Sequence, residues 1–214
     1  MRIDILTLFP EMFAPLSESI IGRAVKSGKL ELYVHDIRPY SRDKHKKCDD
    51  YTFGGGAGMI MMPQPIADCI AAVDPAHEAK RFYLSPKGRT FSQAMVKELA
   101  SLDRLLLLCG HYEDGEISLG DFVLTGGEIP AMAVTDAVAR YVGGVIKAES
   151  LEKESFSEGL LEYPQYTRPQ EFMGLAVPEV LVSGNHAEVD KWRREQSLSL
   201  TKKLRPDLLP EDLR

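Results

Sequence analysis

The stretch RLLLLCGHYEDGEISLGDFVLTGGEIP, from Arg104 to Pro130, decides the fold of this chain. Its first part, Arg104–Cys109, is a short apolar run followed by glycine, which is typical of a strand buried on both faces. Asp121–Thr125 predicts a second such strand, which ends in Gly126-Gly127. Because glycine has no Cβ, a ligand can approach the backbone closely at these strand ends, where open α/β sheets bind their ligands. The stretch therefore predicts an α/β fold with a ligand pocket.

The preceding part of the chain predicts further strands and helices of such a fold. Strands are predicted at Ile3–Phe9, Leu30–Ile37 and Arg81–Leu84, the last of which runs into the loop Ser85-Pro86-Lys87-Gly88. Helices are predicted from Pro10 to Gly28 and at Gln64–Val73, Ser92–Ser101 and Glu128–Val142. Strands that alternate with helices favour a parallel sheet, so three strand ends can converge on one pocket. Between these elements, Arg38–Pro65 is predicted to have little regular structure.

Composition limits the classes of protein that this sequence can belong to. With 214 residues, of which 44% are hydrophobic, it can form one domain with a sizeable core, or a larger domain with a small appendage. We find no signal peptide and no apolar window of membrane-spanning length, so we expect a cytoplasmic protein with no membrane partner. Cys48, Cys69 and Cys109 lack metal-binding spacing, which favours reduced thiols and no metal site. A net charge of −6 restricts nucleic-acid binding to local basic patches.

The second half of the chain predicts a linker and a helical domain. Gly143–Arg168 shows no clear periodicity, and Val177–Ser183 is interpreted as short extended structure. Asn185 and Glu188 form a capping-box pattern at the start of a helix that is basic on one face. We therefore predict a ligand-binding domain at residues 1–145, a linker at 146–168 and a helical domain at 169–214.

The residue patterns alone leave the functional sites open. The glycines around the predicted pocket match neither a dinucleotide fingerprint nor a P-loop, and they can be simple turns. The glycine loop Gly54–Met59 follows a basic run. This arrangement is equally consistent with a site for a phosphate-containing partner and with a solvated loop. Acidic residues between Glu149 and Glu158 are typical of a solvated loop, and Arg140 of an ion-paired helix residue. Unaided, the sequence predicts a two-domain α/β protein with a ligand pocket.

Seven phrases that occur together and in order allow a more specific interpretation. They are LTLFPEMF (Leu6–Phe13), DYTFGGGAGM (Asp50–Met59), YLSPKG (Tyr83–Gly88), LCGHYE (Leu108–Glu113), EISLGDFVLTGGE (Glu116–Glu128), GLLEYPQYTRP (Gly159–Pro169) and VPEVLVSGNHAEVDKWR (Val177–Arg193). With these phrases the chain resembles, over nearly its whole length, the bacterial tRNA (guanine-N(1))-methyltransferases of the TrmD family, in the SPOUT superfamily.

The resemblance implies a fold, a reaction and partners. The implied fold is α/β, with a SPOUT-type trefoil-knotted parallel-sheet domain, its knot in the Tyr83–Pro130 region, and a small helical C-terminal domain that grips tRNA. The implied reaction transfers a methyl group from S-adenosylmethionine, which becomes S-adenosylhomocysteine, to N(1) of the guanosine immediately 3′ of the anticodon. The implied assembly is a homodimer with active sites at the subunit interface. The rival interpretation is a non-catalytic RNA-binding protein that retains the pocket; a ribose methyltransferase is disfavoured by the acidic loop.

The family's binding residues carry over onto matching positions. The implied cofactor contacts are Tyr83, Leu84, Ser85, Pro86, Gly110, Tyr112, Glu113, Leu119, Gly120, Phe122, Val123, Leu124, Gly126, Gly127 and Pro130. The RNA-binding candidates are Gly55, Gly56, Gly58, Met59, Ser150, Arg168, His186, Lys191, Arg193 and Arg194.

The family's catalytic pair falls on Glu154 and Arg140. Guanine N(1) carries a proton at neutral pH, so a carboxylate must remove it while a cation stabilises charge on the adjacent carbonyl oxygen. The resemblance implies that Glu154 is this base, that Arg140 is this cation, and that the loop Ser150–Glu158 orders when tRNA binds. The family's base is commonly Asp, whereas Glu154 is one methylene longer and lies in a loop that is one residue shorter. Glu152 therefore stays a weaker candidate for the base. Whether Mg²⁺ assists the proton transfer does not follow from the sequence.

The sequence departs from the family in one segment. Family members continue after the Tyr-Glu pair with about a dozen residues, including a Gly-x-Asp-x-Arg phrase. Here Glu113 is followed directly by Asp114-Gly115-Glu116. A deletion at this point would remove part of the predicted knot wall and bear on activity.

Overall fold

The computed structural model describes residues 1–55, 58–110, 116–152, 154–156 and 159–213. Contacts divide the chain into two compact units, Met1–Ile146 and Lys147–Arg214. The roles that the sequence analysis gave to the predicted domains and linker stay predictions. In the described part of the chain, no helix is long and apolar enough to cross a membrane.

The first unit alternates strands and helices along the chain. Its strands are β1 (Arg2–Thr7), β2 (Glu31–Asp36), β3 (Asp49–Tyr51), β4 (Met59–Met61), β5 (Lys80–Thr90), β6 (Arg104–Leu108) and β7 (Glu116–Ser118). Its α-helices are α1 (Ser19–Lys26), α2 (Pro63–Val73), α3 (Gln93–Ala100) and α4 (Glu128–Arg140). Short 3₁₀ helices occupy Pro10–Ser17 and Arg38–Tyr40.

Five of these strands form one parallel sheet in the order β2-β1-β6-β5-β7. Tyr83 in β5 pairs with Leu108 on one side and with Glu116 on the other, so the end of β6 lies level with the start of β7. Leu6 in β1 also pairs with Leu108. The carboxyl ends of β1 and β6 therefore meet beside the middle of β5, and this confirms the predicted α/β class.

The core lies on both faces of the sheet because successive side chains of a strand point to opposite sides. Ile3, Ile5, Leu105 and Leu107 pack on one face in a cluster with residues of α1, α3 and α4. Leu6, Leu106 and Leu108 pack on the other face with Ile66 and Cys69 of α2. Burial on both faces explains why β6 is a nearly continuous apolar run, whereas β1 also contains the buried Asp4 and Thr7.

The structure corrects the strand predicted at Asp121–Thr125. This segment forms no strand, and its Phe122 and Val123 side chains are exposed. The Phe122 N–H donates to the Gly120 carbonyl at 2.9 Å, which turns the backbone where an extended strand would continue. The fifth strand of the sheet is β7, upstream of the predicted position.

Other corrections concern the ends and interiors of elements. β5 continues to Thr90 through the predicted loop, with a register shift between Leu84 and Arg89. The helix predicted from Pro10 is a 3₁₀ helix followed by α1, with Glu18 extended between them; Pro15 lacks the N–H that a continuous helix requires. The segment predicted as irregular before Pro65 contains the antiparallel hairpin β3–β4.

The described part of the second unit contains two α-helices, a hairpin and three short 3₁₀ helices, two of which lie at Pro206–Leu208 and Glu211–Leu213. α5 (Ala148–Glu152) lies in the segment predicted as an irregular linker, and β8 (Glu171–Phe172) pairs with β9 (Leu175–Ala176). A 3₁₀ helix, Glu179–Val182, replaces the predicted extended structure. α6 (His186–Leu204) begins as predicted, because Asn185 accepts a hydrogen bond from the Glu188 N–H at 3.4 Å.

Candidate active site

The first unit has a cavity at the carboxyl ends of its strands. Its volume is about 330 Å³, which falls within the range of about 300 to 1,000 Å³ typical of small-molecule sites. The walls come from the ends of β1 and β6, the bend inside β5, the segment between β7 and α4, and the β3–β4 hairpin. The cavity therefore lies where the sequence predicted that strand ends converge.

All of the predicted cofactor contacts that the structure describes line this cavity. They are Tyr83, Leu84, Ser85, Pro86, Gly110, Leu119, Gly120, Phe122, Val123, Leu124, Gly126, Gly127 and Pro130. Tyr112 and Glu113 lie outside the described residues. That these residues contact a cofactor stays a prediction, but they form one continuous surface.

Close packing against three glycines shapes the cavity. A Cβ on Gly127 would lie 2.9 Å from Cys109 Cα and 3.3 Å from Leu84 Cβ. On Gly110 it would lie 2.3 Å from Met61 Sδ, and on Gly126 it would meet the Glu128 carboxylate. Because these positions lack a Cβ, neighbouring segments approach closely around the cavity, and the bare backbone allows close approach of a flat nucleoside-like ligand. The residues present therefore fit an adenosyl cofactor.

A buried hydrogen bond fixes the wall between β1 and α4. Thr7 Oγ1 donates to Glu128 Oε1 at 2.8 Å and accepts from the Phe9 N–H at 2.9 Å. Thr7 is fully buried and Glu128 is 6% exposed. The Thr7 hydroxyl thus joins the first residue of α4 to the end of β1.

Burial also sets the protonation of two side chains in this wall. Burial raises the pKa of the Tyr83 phenol to about 12, with smaller effects from Glu116 and Cys109. Burial, and then the neighbouring Glu128 charge, raises the pKa of the Cys109 thiol. Because the thiolate is the nucleophilic form, Cys109 is unsuited to covalent catalysis at neutral pH.

Sequence reasoning missed several residues of the cavity wall. These are Leu8, Phe9, Asp49, Met61, Cys109, Ile117, Ser118 and Thr125, whereas Glu128 was expected among the polar groups near the glycine turns. Most of them adjoin a predicted contact, so proximity in sequence to a strand end was the available signal. Asp49 and Met61 come from the hairpin, whose pairing the sequence did not predict. Met59, predicted as an RNA contact, also lines this cavity.

The two predicted catalytic side chains belong to different units. Arg140 is the last residue of α4 in the first unit, and Glu154 follows α5 in the second. Both are half-buried and take part in further contacts. Ser150 is exposed within α5, and its N–H donates to the Lys147 carbonyl at 3.0 Å. The catalytic pairing stays a prediction.

The predicted RNA contacts fall on a turn of the first unit and on the second unit. Gly55 and Gly58 both have positive φ, in the loop between β3 and β4, whereas Gly56 lies outside the described residues. In the second unit, His186, Lys191, Arg194 and Arg168 are exposed. Their role in RNA binding stays a prediction.

The second unit has a groove of its own, of about 650 Å³. Tyr163, Tyr166, Arg168 and Arg193 are among its lining residues. The Arg193 guanidinium lies 5.0 Å from the centre of the Tyr163 ring, and its Nη1 lies 3.3 Å from Asp190. Basic and aromatic side chains are thus combined in this unit. Neither unit shows three or more His, Cys, Asp or Glu residues gathered as for a metal ion, within the described residues.

Comparison with known proteins identifies the family. The profile of the family described as tRNA (Guanine-1)-methyltransferase TrmD matches residues 1–211. A tRNA (guanine-N(1)-)-methyltransferase from Caldanaerobacter subterraneus subsp. tengcongensis is 55% identical over 98% of this chain and 92% of its own length. Enzymes of the same name from Clostridium botulinum (strain 657 / Type Ba4) and Clostridium perfringens (strain SM101 / Type A) are 55% and 53% identical, over 98% and 97% of this chain and 92% and 93% of their own lengths.

These alignments also bear on the missing segment. The alignment with the Caldanaerobacter protein spans 221 positions, more than the 214 residues of this chain, so that relative has residues that this chain lacks. The match nevertheless runs through both units and includes all seven phrases. The chain therefore belongs to the tRNA (guanine-1)-methyltransferase TrmD family.

Proposed function

We propose that this protein transfers a methyl group from S-adenosylmethionine to N(1) of the guanosine immediately 3′ of the anticodon in tRNA. The observation that carries the proposal is the cavity at the strand ends, which is lined by every described residue for which the family resemblance implies a cofactor contact. The names of the relatives, all tRNA (guanine-N(1)-)-methyltransferases, support the same reaction.

Backbone groups of the strand-end loops would hold the cofactor. Tyr83–Pro86, Gly110 and Gly126-Gly127 line the cavity, and the glycines among them allow a ligand to approach the backbone closely. When bound, S-adenosylmethionine supplies a methyl carbon already activated by its sulfonium. The protein then has to exclude water and align the acceptor nitrogen, and such positioning can contribute a large part of the rate.

Glu154 and Arg140 would prepare the acceptor nitrogen. The Glu154 carboxylate accepts the N(1) proton as the nitrogen lone pair forms the bond to carbon, and Arg140 stabilises the negative charge that moves onto the guanine carbonyl oxygen. The cofactor would supply the methyl group and would leave as a neutral thioether that keeps the electron pair of the carbon–sulfur bond. Charge and atoms balance without a further reactant.

The proposal includes an assembly and a location. We infer a homodimer whose active sites lie at the subunit interface, supported by the exposed apolar side chains Phe53 and Val123 of the first unit. The second unit would contact tRNA through its basic residues, and the cytoplasm is where its substrate occurs. Mg²⁺ assistance can be tested by adding EDTA to the methyl-transfer reaction.

The test is methyl transfer from labelled S-adenosylmethionine to tRNA carrying the target guanosine. Incorporation should require that guanosine, and Glu154→Gln should lower the rate of transfer by about 10²- to 10⁴-fold because the proton acceptor is lost. Glu152→Gln is the matched control and should retain activity. If Glu154→Gln is fully active and Glu152→Gln is not, the base is Glu152. Cofactor binding without transfer to any tRNA would instead favour the non-catalytic RNA-binding alternative.

A further inference from the structure

Among the residues that the structure describes, the charged groups around the cavity are all of one sign. Among the described residues that line it, the charged ones are Asp49 and Glu128, and no Lys, Arg or His side chain is present. Asp49 is exposed in the β3–β4 hairpin, whereas Glu128 is 6% exposed at the start of α4. The cavity is therefore suited to a ligand that carries positive charge.

Glu128 is held in a fixed position. The Thr7 hydroxyl proton is directed to Glu128 Oε1, since the hydroxyl oxygen accepts the Phe9 N–H. The other oxygen, Oε2, lies over Gly126, 2.3 Å from where a Cβ would stand. A Cβ at position 126 would displace this carboxylate from its place beside the cavity. Its proximity to Cys109 is also evident in its contribution to the raised pKa of that thiol.

The charge of Glu128 is poorly screened by solvent because the side chain is buried. A buried pair of charges is screened far less than an exposed pair, so Glu128 interacts more strongly with a ligand than Asp49 does. In the proposed reaction the methyl donor carries a sulfonium cation, whereas the product is a neutral thioether. The two ligands are otherwise nearly the same in shape, and contacts with adenine and ribose cannot distinguish them.

We propose that Glu128 selects the cationic methyl donor over the neutral product by charge. The role rests on the proposed function, and it goes beyond it in assigning product discrimination to one side chain. Loss of the positive charge on transfer weakens binding at this site, so the protein releases the product more readily. Glu128 lines the cavity and acts on binding; it takes no part in moving the proton.

The experiment measures dissociation constants of S-adenosylmethionine and S-adenosylhomocysteine by calorimetry for the wild type and Glu128→Gln. The amide keeps the shape and can still accept the Thr7 proton. We expect binding of S-adenosylmethionine to weaken about tenfold while binding of S-adenosylhomocysteine changes little. Asp49→Asn, which removes an exposed charge from the same cavity, should have a smaller effect.

Other outcomes would overturn the proposal in distinguishable ways. Equal weakening of both ligands, or no change in either, would make Glu128 merely structural and leave the proposed function intact. A wild-type protein that binds neither compound would overturn both. Should the variant not fold, the wild type can be tested with an analogue in which a protonated amine replaces the sulfonium. This cation should bind more tightly than the thioether, and binding no tighter would overturn charge selection.

Discussion

At the scale of single residues, Gly127 is the point where the segment before α4 packs against β5 and against the end of β6. It precedes α4, and a Cβ there would contact Cys109 after β6 and Leu84 in β5. The neighbouring atom at 2.9 Å is main chain, which cannot rotate away as the end of a side chain can. Absence of a side chain is thus a steric requirement at this position.

We therefore expect Gly127→Ala to impair both stability and cofactor binding. Overpacking of this kind costs about 1 to 3 kcal/mol, and the displaced turn should weaken binding of S-adenosylmethionine. Thermal unfolding and calorimetry measure the two effects. Gly143→Ala is the matched control, because a Cβ at Gly143 has open space around it. If both variants behave as the wild type does, the close approach at Gly127 is not required.

At the scale of elements, an ion-pair network ties neighbouring strands of the sheet together. Asp4 of β1 is fully buried and lies 2.8 Å from Arg2, 2.8 Å from His35 and 3.0 Å from Arg104. Arg104 also lies 3.3 Å from the buried carboxylate of Asp74, at the end of α2. The network joins β1, β2, β6 and the end of α2, and it thereby fixes the positions of these elements.

This network makes stability depend on pH. Burial raises the pKa of Asp4, but hydrogen bonds from His35, Arg2 and Arg104 outweigh it and lower that pKa from 3.8 to about 2. A lowered pKa in the folded state gives stability that is present above the unfolded value and is lost as pH falls through the folded one. Asp4→Asn should therefore lower the free energy of unfolding at neutral pH by roughly 2 kcal/mol.

Urea unfolding of Asp4→Asn and the wild type at several pH values measures this effect. The difference between the two proteins should shrink as the pH falls from about 5 to about 2. Asp136→Asn, which removes an exposed carboxylate on α4, should show no such trend. A difference that does not vary with pH would mean that the Asp4 charge contributes nothing.

Whether the sequence predicts an element correctly depends on whether local patterns or long-range contacts stabilise that element. β1, β2, β6, α2, α3 and α4 follow from local apolar patterns and caps, and the structure confirms their positions within a few residues. Phe122 and Val123 also form an apolar run, but they line a cavity, and apolar character alone does not distinguish such a wall from a strand. The extension of β5 depends on pairing with β7, a long-range contact that no local pattern reveals.

The candidate site was predictable to the extent that glycines mark strand ends. The cavity and its glycine turns follow from that reasoning, and the individual contacts came from family resemblance. Glu128 and Thr7 were not predicted as partners, because 121 positions separate them in the chain. The pairing of Arg140 with Glu154 stays a prediction.

The link between β6 and β7 is short for parallel strands. Only Cys109–Gly115 separates Leu108 from Glu116, whereas parallel strands of a sheet are usually joined by about a dozen residues or more. The alignment with the Caldanaerobacter relative spans more positions than this chain has residues. That the additional residues follow Glu113, beside the predicted cofactor contacts, is implied by the family resemblance and stays a prediction.

Restoring the family segment should strengthen cofactor binding. A variant that carries the corresponding residues of a relative between Glu113 and Asp114 would add wall to the site and bury more of the ligand. We expect a lower dissociation constant for S-adenosylmethionine by calorimetry. An insertion of equal length made of Gly and Ser is the control, and equal effects of the two insertions would contradict the prediction.

At the scale of the whole molecule, both units have large apolar side chains exposed to solvent. Examples are Phe53 and Val123 in the first unit and Met173 in the second, each more than four-fifths exposed. Contiguous patches of exposed apolar side chains are uncommon on proteins that act as monomers. They support the proposed homodimer, in which a two-fold axis would create two equivalent active sites.

A mixing experiment tests whether each active site draws on both subunits. Suppose that Arg140 of one subunit acts with Glu154 of the other. A mixed dimer of Arg140→Ala and Glu154→Gln then has one site that lacks both groups and one that is intact. Random exchange of subunits should restore about a quarter of wild-type methyl transfer, because half of the dimers are mixed and each has one intact site.

The same experiment distinguishes the alternative arrangement. If both groups of a site come from one subunit, every site in the mixed dimer lacks one of them, and mixing restores nothing. Each variant alone should be nearly inactive, and mixing either with itself is the control. Native mass spectrometry of the mixture, which separates mixed dimers from the two parent dimers by mass, establishes that subunits have exchanged, so that failure to recover activity would count against a site shared between subunits.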